Sequence, residues 1–340
     1  MDKQLLFNTA AAMVARGKGI LAADESSGTC EKRFKSVGVD CTEENRRSYR
    51  NLLFSTPGVE QYLSGVILFD ETARQKANDG KLIPQYLEAK GIIPGIKVDK
   101  GTVDLPFTAG EKVTEGLDGL QKRMKEYFDM GCRFAKWRAV ITIGPDMPTH
   151  ACLYANAHAL ARYAAICQEA SIVPMIEPEV LLDGSHTAER SEEVHEATLR
   201  VTYAAMAACN VLLEGLILKT SMVVSGKDNP RQAAVEEVAE RTVRVLKRTV
   251  PAAQPGIVFL SGGQSDEAAT AHLNAMAAMK GLPWPLTFSY SRALQNPALK
   301  TWRGQAGNVS AAQKAFLHRA HMNGLAAQGK WSADLEKKAA

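Results

Sequence analysis

A lysine closing an apolar run is the residue here best placed for covalent chemistry. Val211-Leu212-Leu213-Glu214-Gly215-Leu216-Ile217-Leu218-Lys219 is apolar almost throughout, as expected of a parallel strand covered on both faces. An ammonium at the end of such a strand loses hydration, and desolvation lowers its pKa. A partly neutral amine can attack a carbonyl and form a Schiff base. Similar apolar runs recur along the chain: Ile20 to Asp24, Gly65 to Phe69, Ile92 to Lys97, Cys132 to Arg138, Ile172 to Glu177, Gly256 to Ser261 and Pro285 to Tyr290. Asp24, Lys97, Lys136, Arg138, Glu177, Lys219 and Ser261 stand at their ends, and Arg292 lies just past the eighth. Strand alternation puts Lys136 and Arg138 on one face and Trp137 on the other. A second ammonium near Lys219 would lower its pKa by like-charge repulsion. Glu177 and Asp24 could move protons. Pro178 is expected to terminate the fifth strand. Glu179 shares the parity of Glu177 and reads equally as a structural partner of a nearby base or as a catalytic group.

Two anion sites flank this amine. Ser261-Gly262-Gly263-Gln264-Ser265-Asp266 closes the seventh run and opens a helix. Glycines let the backbone approach an anion, and a helix N-terminus adds a favourable dipole. Arg292 supplies a fixed charge on the same side. Across from it lie Lys97 and Arg138, with Lys32 and Arg33 as further candidates and Ser26 and Ser27 as hydrogen-bond donors. The pair of sites suggests a substrate phosphorylated at both ends. None of the seven histidines stands at a strand end; His318 and His321 lie one turn apart on a late helix with no nearby carboxylate or cysteine set. No metal ligands and no cofactor are therefore expected.

Helical stretches must carry these strand ends to one place. Residues 3–16, 149–170, 188–209, 266–280 and 310–329 read as helices, and Asn229-Pro230 reads as an N-cap and first position of another. Eight short strands alternating with helices argue for a single α/β domain, a (β/α)8 or TIM barrel spanning residues 1–340, with an N-terminal helix, a C-terminal helix and a short mobile tail. A barrel brings the C-terminal ends of its strands to one mouth. An open doubly wound sheet would usually carry a Gly-rich dinucleotide fingerprint, which is absent. The hydrophobic fraction of 46% and the charged fraction of 23% suit a globular protein with a sizeable core. The net charge of +4 is small and scattered, against nucleic acid as a partner. Six cysteines without CxxC spacing read as reduced. No signal peptide or membrane span is legible, so an intracellular, cytoplasmic protein is expected.

With these residues the chain resembles the class I, Schiff-base fructose-bisphosphate aldolases. The matching stretches are Ile20-Leu-Ala-Ala-Asp-Glu-Ser26, Gly95-Ile-Lys-Val-Asp-Lys-Gly101, Lys136-Trp-Arg138, Ile172-Val-Pro-Met-Ile-Glu-Pro-Glu179, Leu218-Lys219, Ser261-Gly-Gly-Gln-Ser265 and Ser289-Tyr-Ser-Arg-Ala-Leu-Gln295. The resemblance implies a lyase of glycolysis and gluconeogenesis, reversibly cleaving fructose 1,6-bisphosphate to dihydroxyacetone phosphate and glyceraldehyde 3-phosphate. It implies Lys219 as the Schiff-base nucleophile, Lys136 and Glu177 in proton transfers around imine formation, and Asp24 with Glu177 on the hydroxyl proton. Ser261, Gly262, Ser291 and Arg292 would hold the phosphate nearer the ketone; Ser26, Lys97 and Arg138 would hold the distal one. A homotetramer follows from the same resemblance. The rival readings are a Schiff-base aldolase for another phosphorylated ketose, such as a heptulose bisphosphate, and a binding scaffold that keeps the fold. The family's Lys-Pro-Asn-Met is Lys219-Thr220-Ser221-Met222 here, and its glycine before the phosphate arginine is Ser291, which is expected to strain a backbone contact. Residues 329–340 hold no tyrosine, so the tail is expected to take no part in catalysis.

Overall fold

The computed structural model describes residues 1–337. Eight parallel strands close into a barrel: β1 (Gly19–Ala23), β2 (Leu63–Leu68), β3 (Ile93–Lys97), β4 (Phe134–Ile141), β5 (Val173–Val180), β6 (Ile217–Thr220), β7 (Ile257–Phe259) and β8 (Leu286–Tyr290). Each pairs with its sequence neighbours, and β8 returns to β1 through Ile20↔Ser289. This is the (β/α)8 barrel expected from the alternating pattern.

The barrel interior is built in layers. Ile20, Ala22, Ile67, Phe134, Val173, Met175, Ile217 and Val258 pack together near the starts of the strands, and the helix Lys3–Met13 covers them with Leu6, Ala10 and Met13. Glycines make room for the one aromatic in that layer. A methyl built on Gly95 would lie 2.2 Å from the Phe134 ring, and one on Gly65 would lie 3.1 Å from it. Outward residues such as Trp137, Ile176, Leu218 and Phe259 pack under the surrounding helices in a second, larger core. A strand pointing apolar residues both ways accounts for the nearly unbroken apolar runs. The interior layer also fixes parity: Phe134 and Met175 inside set Lys136, Arg138, Glu177 and Glu179 facing the mouth.

Three local expectations need correction. The run 211–219 is not one strand. Leu213–Gly215 forms a 3-10 turn and pairing starts at Ile217, because the buried Gln168 side chain donates to the Leu212 and Gly215 carbonyls (2.8 and 3.2 Å) and accepts the Leu212 N–H at 2.9 Å. Those backbone groups are satisfied without a ladder. Pro178 does not end β5, which runs on to Val180 in register with β4. Val173 and Leu181 send their N–H groups toward the β4 side, to Arg133 and Ile141, so by alternation Pro178 faces β6. The β5–β6 ladder has already stopped at Ile176↔Leu218, so the missing donor breaks no bond. Asn229-Pro230 caps no helix. The helix is Val235–Thr249, and Asn229 instead accepts from Arg231 N at 2.8 Å and ties the loop to the Ser185 carbonyl.

The tail is not free as far as it is described. Ala333–Lys337 is a short helix, and Glu336 accepts from Arg319 (2.7 Å) and Trp331 (2.9 Å) and meets His318 Nε2 at 2.8 Å. His318 therefore has a carboxylate partner after all, while His321 stacks on Tyr62. Residues 338–340 lie outside the described residues.

Candidate active site

The ends of the strands open into a cavity of about 820 Å³. Of the sequence candidates, Asp24, Ser26, Lys97, Lys136, Arg138, Glu177, Glu179, Lys219, Ser261, Gly262, Ser291 and Arg292 all line it. At its floor four charged groups touch. Lys136 Nζ lies 2.8 Å from Asp24 Oδ2 and 3.2 Å from Glu177 Oε2; Lys219 Nζ lies 3.0 Å from Glu177 Oε1. All four are buried. Glu177 thus stands between the two ammonium groups, so Lys219 meets a carboxylate as well as a like charge.

Burial alone would push these carboxyls up. Lys136 first, then Lys219, outweighs it at both: Asp24 is held down at about 2, and Glu177 below the usual glutamate range. Burial pulls Lys136 down, but Asp24 and Glu177 more than restore it, so it stays protonated. Near neutral pH the floor therefore holds a proton donor in Lys136 and two ionised acceptors. Glu177 is within hydrogen-bond reach of Lys219 and can exchange a proton with it. Such a set suits an amine that adds to a carbonyl and must then lose water.

Around this floor sit the anion-binding candidates. Lys97 Nζ contacts Asp99 Oδ1 at 2.7 Å, and Asp99 Oδ2 also accepts from Arg138 N. Arg138 Nε donates to Glu179, so Glu179 has the structural partner that its parity allowed. Next to Glu179, the Gly262 backbone lies close to Arg292. A methyl built on Gly262 would sit 3.3 Å from Glu179 Oε1 and 3.6 Å from Arg292 Nη2, occupying the cradle. Gly263 has φ +79°, the left-handed region glycine favours. Ser261 Oγ accepts from Ala293 N at 3.4 Å, tying the loop after β7 to the helix after β8.

Ser291 has φ −103°, outside the left-handed region that favours glycine. Its hydroxyl donates to Glu25 at 2.6 Å and accepts from Arg33 at 3.1 Å. Arg33 is engaged there rather than facing the cavity, and Lys32 is exposed outside the lining. Several residues are not legible as site residues in the sequence: Asp99, Glu25, Thr29 and Ser289 in the lining, and Ser221 and His195 behind it. The signal for Asp99 is its place two positions after Lys97, on the same parity. Glu25 carries no such signal, because its partners Arg33, Arg50, Ser291 and Gln295 meet only in three dimensions.

Comparison with known proteins settles the class. Residues 5–340 match the family model described as class I fructose-bisphosphate aldolase of glycolysis. The chain belongs to the class I fructose-bisphosphate aldolases. It is 60% identical over 332 residues to a probable fructose-bisphosphate aldolase class 1 of Xanthomonas axonopodis, covering 97% of this chain and 99% of that one. It is 53% identical to fructose-bisphosphate aldolase 4, cytosolic, of Arabidopsis thaliana, covering 97% and 84%. The fructose-bisphosphate aldolase of Plasmodium falciparum, solved with TRAP and a small-molecule inhibitor, superposes with a TM-score of 0.96 at 48% identity, over 97% and 96% of the two chains. The expected barrel, enzyme class and Schiff-base chemistry stand with the family.

Proposed function

We propose that the chain cleaves fructose 1,6-bisphosphate reversibly, with Lys219 as the nucleophile. The observation that carries this reading is Lys219 Nζ at 3.0 Å from Glu177, itself against Lys136 and thereby linked to Asp24. Glu177 takes a proton from the Lys219 ammonium, and the free amine adds to the ketone carbon. Lys136 and Glu177 supply the proton with which the carbinolamine hydroxyl leaves as water, giving an iminium. Asp24, with Glu177, accepts the hydroxyl proton as the carbon–carbon bond breaks and the aldehyde departs. The bond's electron pair moves into the iminium and gives an enamine. Protonation of the enamine carbon and hydrolysis return the amine. Ser261, Gly262, Ser291 and Arg292 hold the phosphate nearer the ketone; Ser26, Lys97 and Arg138 hold the other. Glu179 orients Arg138 rather than carrying protons. The same reading places the enzyme in the cytoplasm, in glycolysis and gluconeogenesis, as a homotetramer without metal or cofactor.

The test is to incubate with dihydroxyacetone phosphate, reduce with borohydride and map the adduct by mass spectrometry. An adduct on Lys219 is expected; one on another lysine overturns the assignment. Activity in chelator should be retained, and loss rescued by a divalent cation would refute the metal-free reading.

A further inference from the structure

The ladder between β5 and β6 stops at Ile176↔Leu218, one residue short of Glu177 and Lys219. Beyond that point the two strands carry the residues that face each other in the site, with no backbone pairing between them. By alternation Val180 faces β6. It is buried, so its amide needs a partner other than water. Ser221 Oγ supplies it: the hydroxyl lies 3.2 Å from Val180 N and 3.0 Å from Val180 O. A single side chain therefore rejoins the strands on the far side of Glu177, Glu179 and Lys219.

His195, on the helix Ala188–Ala208, meets that hydroxyl from behind the strands. Its Nδ1 lies 2.7 Å from the Ser191 carbonyl oxygen, which can only accept, so Nδ1 carries the proton. Burial pushes the imidazole down to about 4, so it is neutral and its Nε2 is an acceptor. That Nε2 lies 2.9 Å from Ser221 Oγ. Val180 N–H donates to Ser221 Oγ, the one Ser221 proton is shared between the two acceptors His195 Nε2 and the Val180 carbonyl oxygen, and His195 Nδ1–H donates to the Ser191 carbonyl. Ser221 stands where the family's usual motif has asparagine, so this bridge belongs to a local departure in the motif that carries the lysine.

We infer that Ser221 and His195 are positioning residues, which hold β5 and β6 at the separation that sets Glu177 against Lys219. Neither touches the reacting atoms. The inference rests on Lys219 as the nucleophile and on Glu177 as its proton partner.

The experiment is a double-mutant cycle of Ser221→Ala and His195→Leu on the full chain. The readouts are kcat, KM for fructose 1,6-bisphosphate, thermal midpoint, and the rate of borohydride-trappable adduct formation with dihydroxyacetone phosphate. Each single variant should lower kcat and the trapping rate about tenfold, as expected for loosened catalytic geometry, with KM within about twofold because the phosphate contacts lie on other strands. Residues acting as one unit are non-additive, so the double variant should be no worse than either single. His195→Gln keeps an acceptor near Nε2 and should recover most of the rate. It also serves if His195→Leu does not fold. Loss of thermal stability with kcat and trapping unchanged, multiplicative losses in the double variant, or failure of His195→Gln to exceed His195→Leu would each overturn the inference. Adduct mapping on the unaltered protein separates the two readings. An adduct elsewhere than Lys219 defeats the nucleophile assignment, and an adduct on Lys219 with unaffected variants defeats only the positioning role.

Discussion

Arg292→Ala isolates the phosphate interaction from everything else in the site. The guanidinium is exposed, lines the cavity and makes no ion pair among the described residues, so its removal breaks no folded-state partner. The first turn of its helix is held independently, through Ser261 Oγ to Ala293 N and Gln295 Nε2 to the Ala22 carbonyl at 2.7 Å. Surface changes of this kind usually alter stability by less than ~0.5 kcal/mol. The hydrogen bonds from Arg292 to a phosphate are charge-assisted, and removing them costs roughly 1.5–3 kcal/mol. At about 1.4 kcal/mol per decade this is a ten- to hundredfold fall in kcat/KM, carried mainly by KM. Arg292→Lys should recover only part of it, since an ammonium cannot bind two phosphate oxygens in the planar fork. The assay compares kcat/KM for fructose 1,6-bisphosphate, fructose 1-phosphate and unphosphorylated fructose, with inhibition by inorganic phosphate as a binding control. The phosphorylated sugars should suffer and the unphosphorylated one should not. Equal losses for all three sugars, or a fall in thermal midpoint large enough to account for the loss, would refute the phosphate role.

Other outcomes follow from the same geometry. Deleting Ser332 to Ala340 removes Glu336 and leaves the buried Arg319 charge without its carboxylate. Calorimetry should show a loss of ~2 kcal/mol or more, near 4 °C in the midpoint, while exchange of the dihydroxyacetone phosphate C3 proton stays within about threefold; selective loss of exchange would make the tail part of the machinery. Asp24 is depressed from 3.8 to about 2 in the folded state, so its stabilisation is complete above pH 4 and fades as the pH falls through 2. Urea midpoints at pH 6 and pH 3 should show about 1 kcal/mol less acid destabilisation in Asp24→Asn than in the unaltered chain; an unchanged difference contradicts the depressed carboxyl. Thr220 Oγ1 is buried with no hydrogen-bond partner, so Thr220→Val should gain about 1 kcal/mol, and a lowered melting temperature would show that the hydroxyl is bonded.

The sequence by itself determined the class of the fold and most of the site. Apolar runs ending in Asp24, Lys97, Lys136, Glu177 and Lys219 are legible because a barrel strand must be apolar on both faces until it reaches the mouth. Periodicity inside each strand then assigns Lys136 with Arg138, and Glu177 with Glu179, to the inner face. What periodicity cannot supply is the distance between residues on different strands. Only the tertiary structure placed Glu177 between two ammonium groups, and that placement turns like-charge repulsion into a set of opposed charges. Only the tertiary structure carried Pro178 into a strand, since a proline is tolerated where the neighbouring ladder has ended, and that ending is a fact about β6. The same holds for the pairing of Glu25 with Ser291, Glu336 with Arg319, and His195 with Ser221. Each joins residues far apart in the chain or on different elements, whose polar groups find partners only once the fold has brought those elements together.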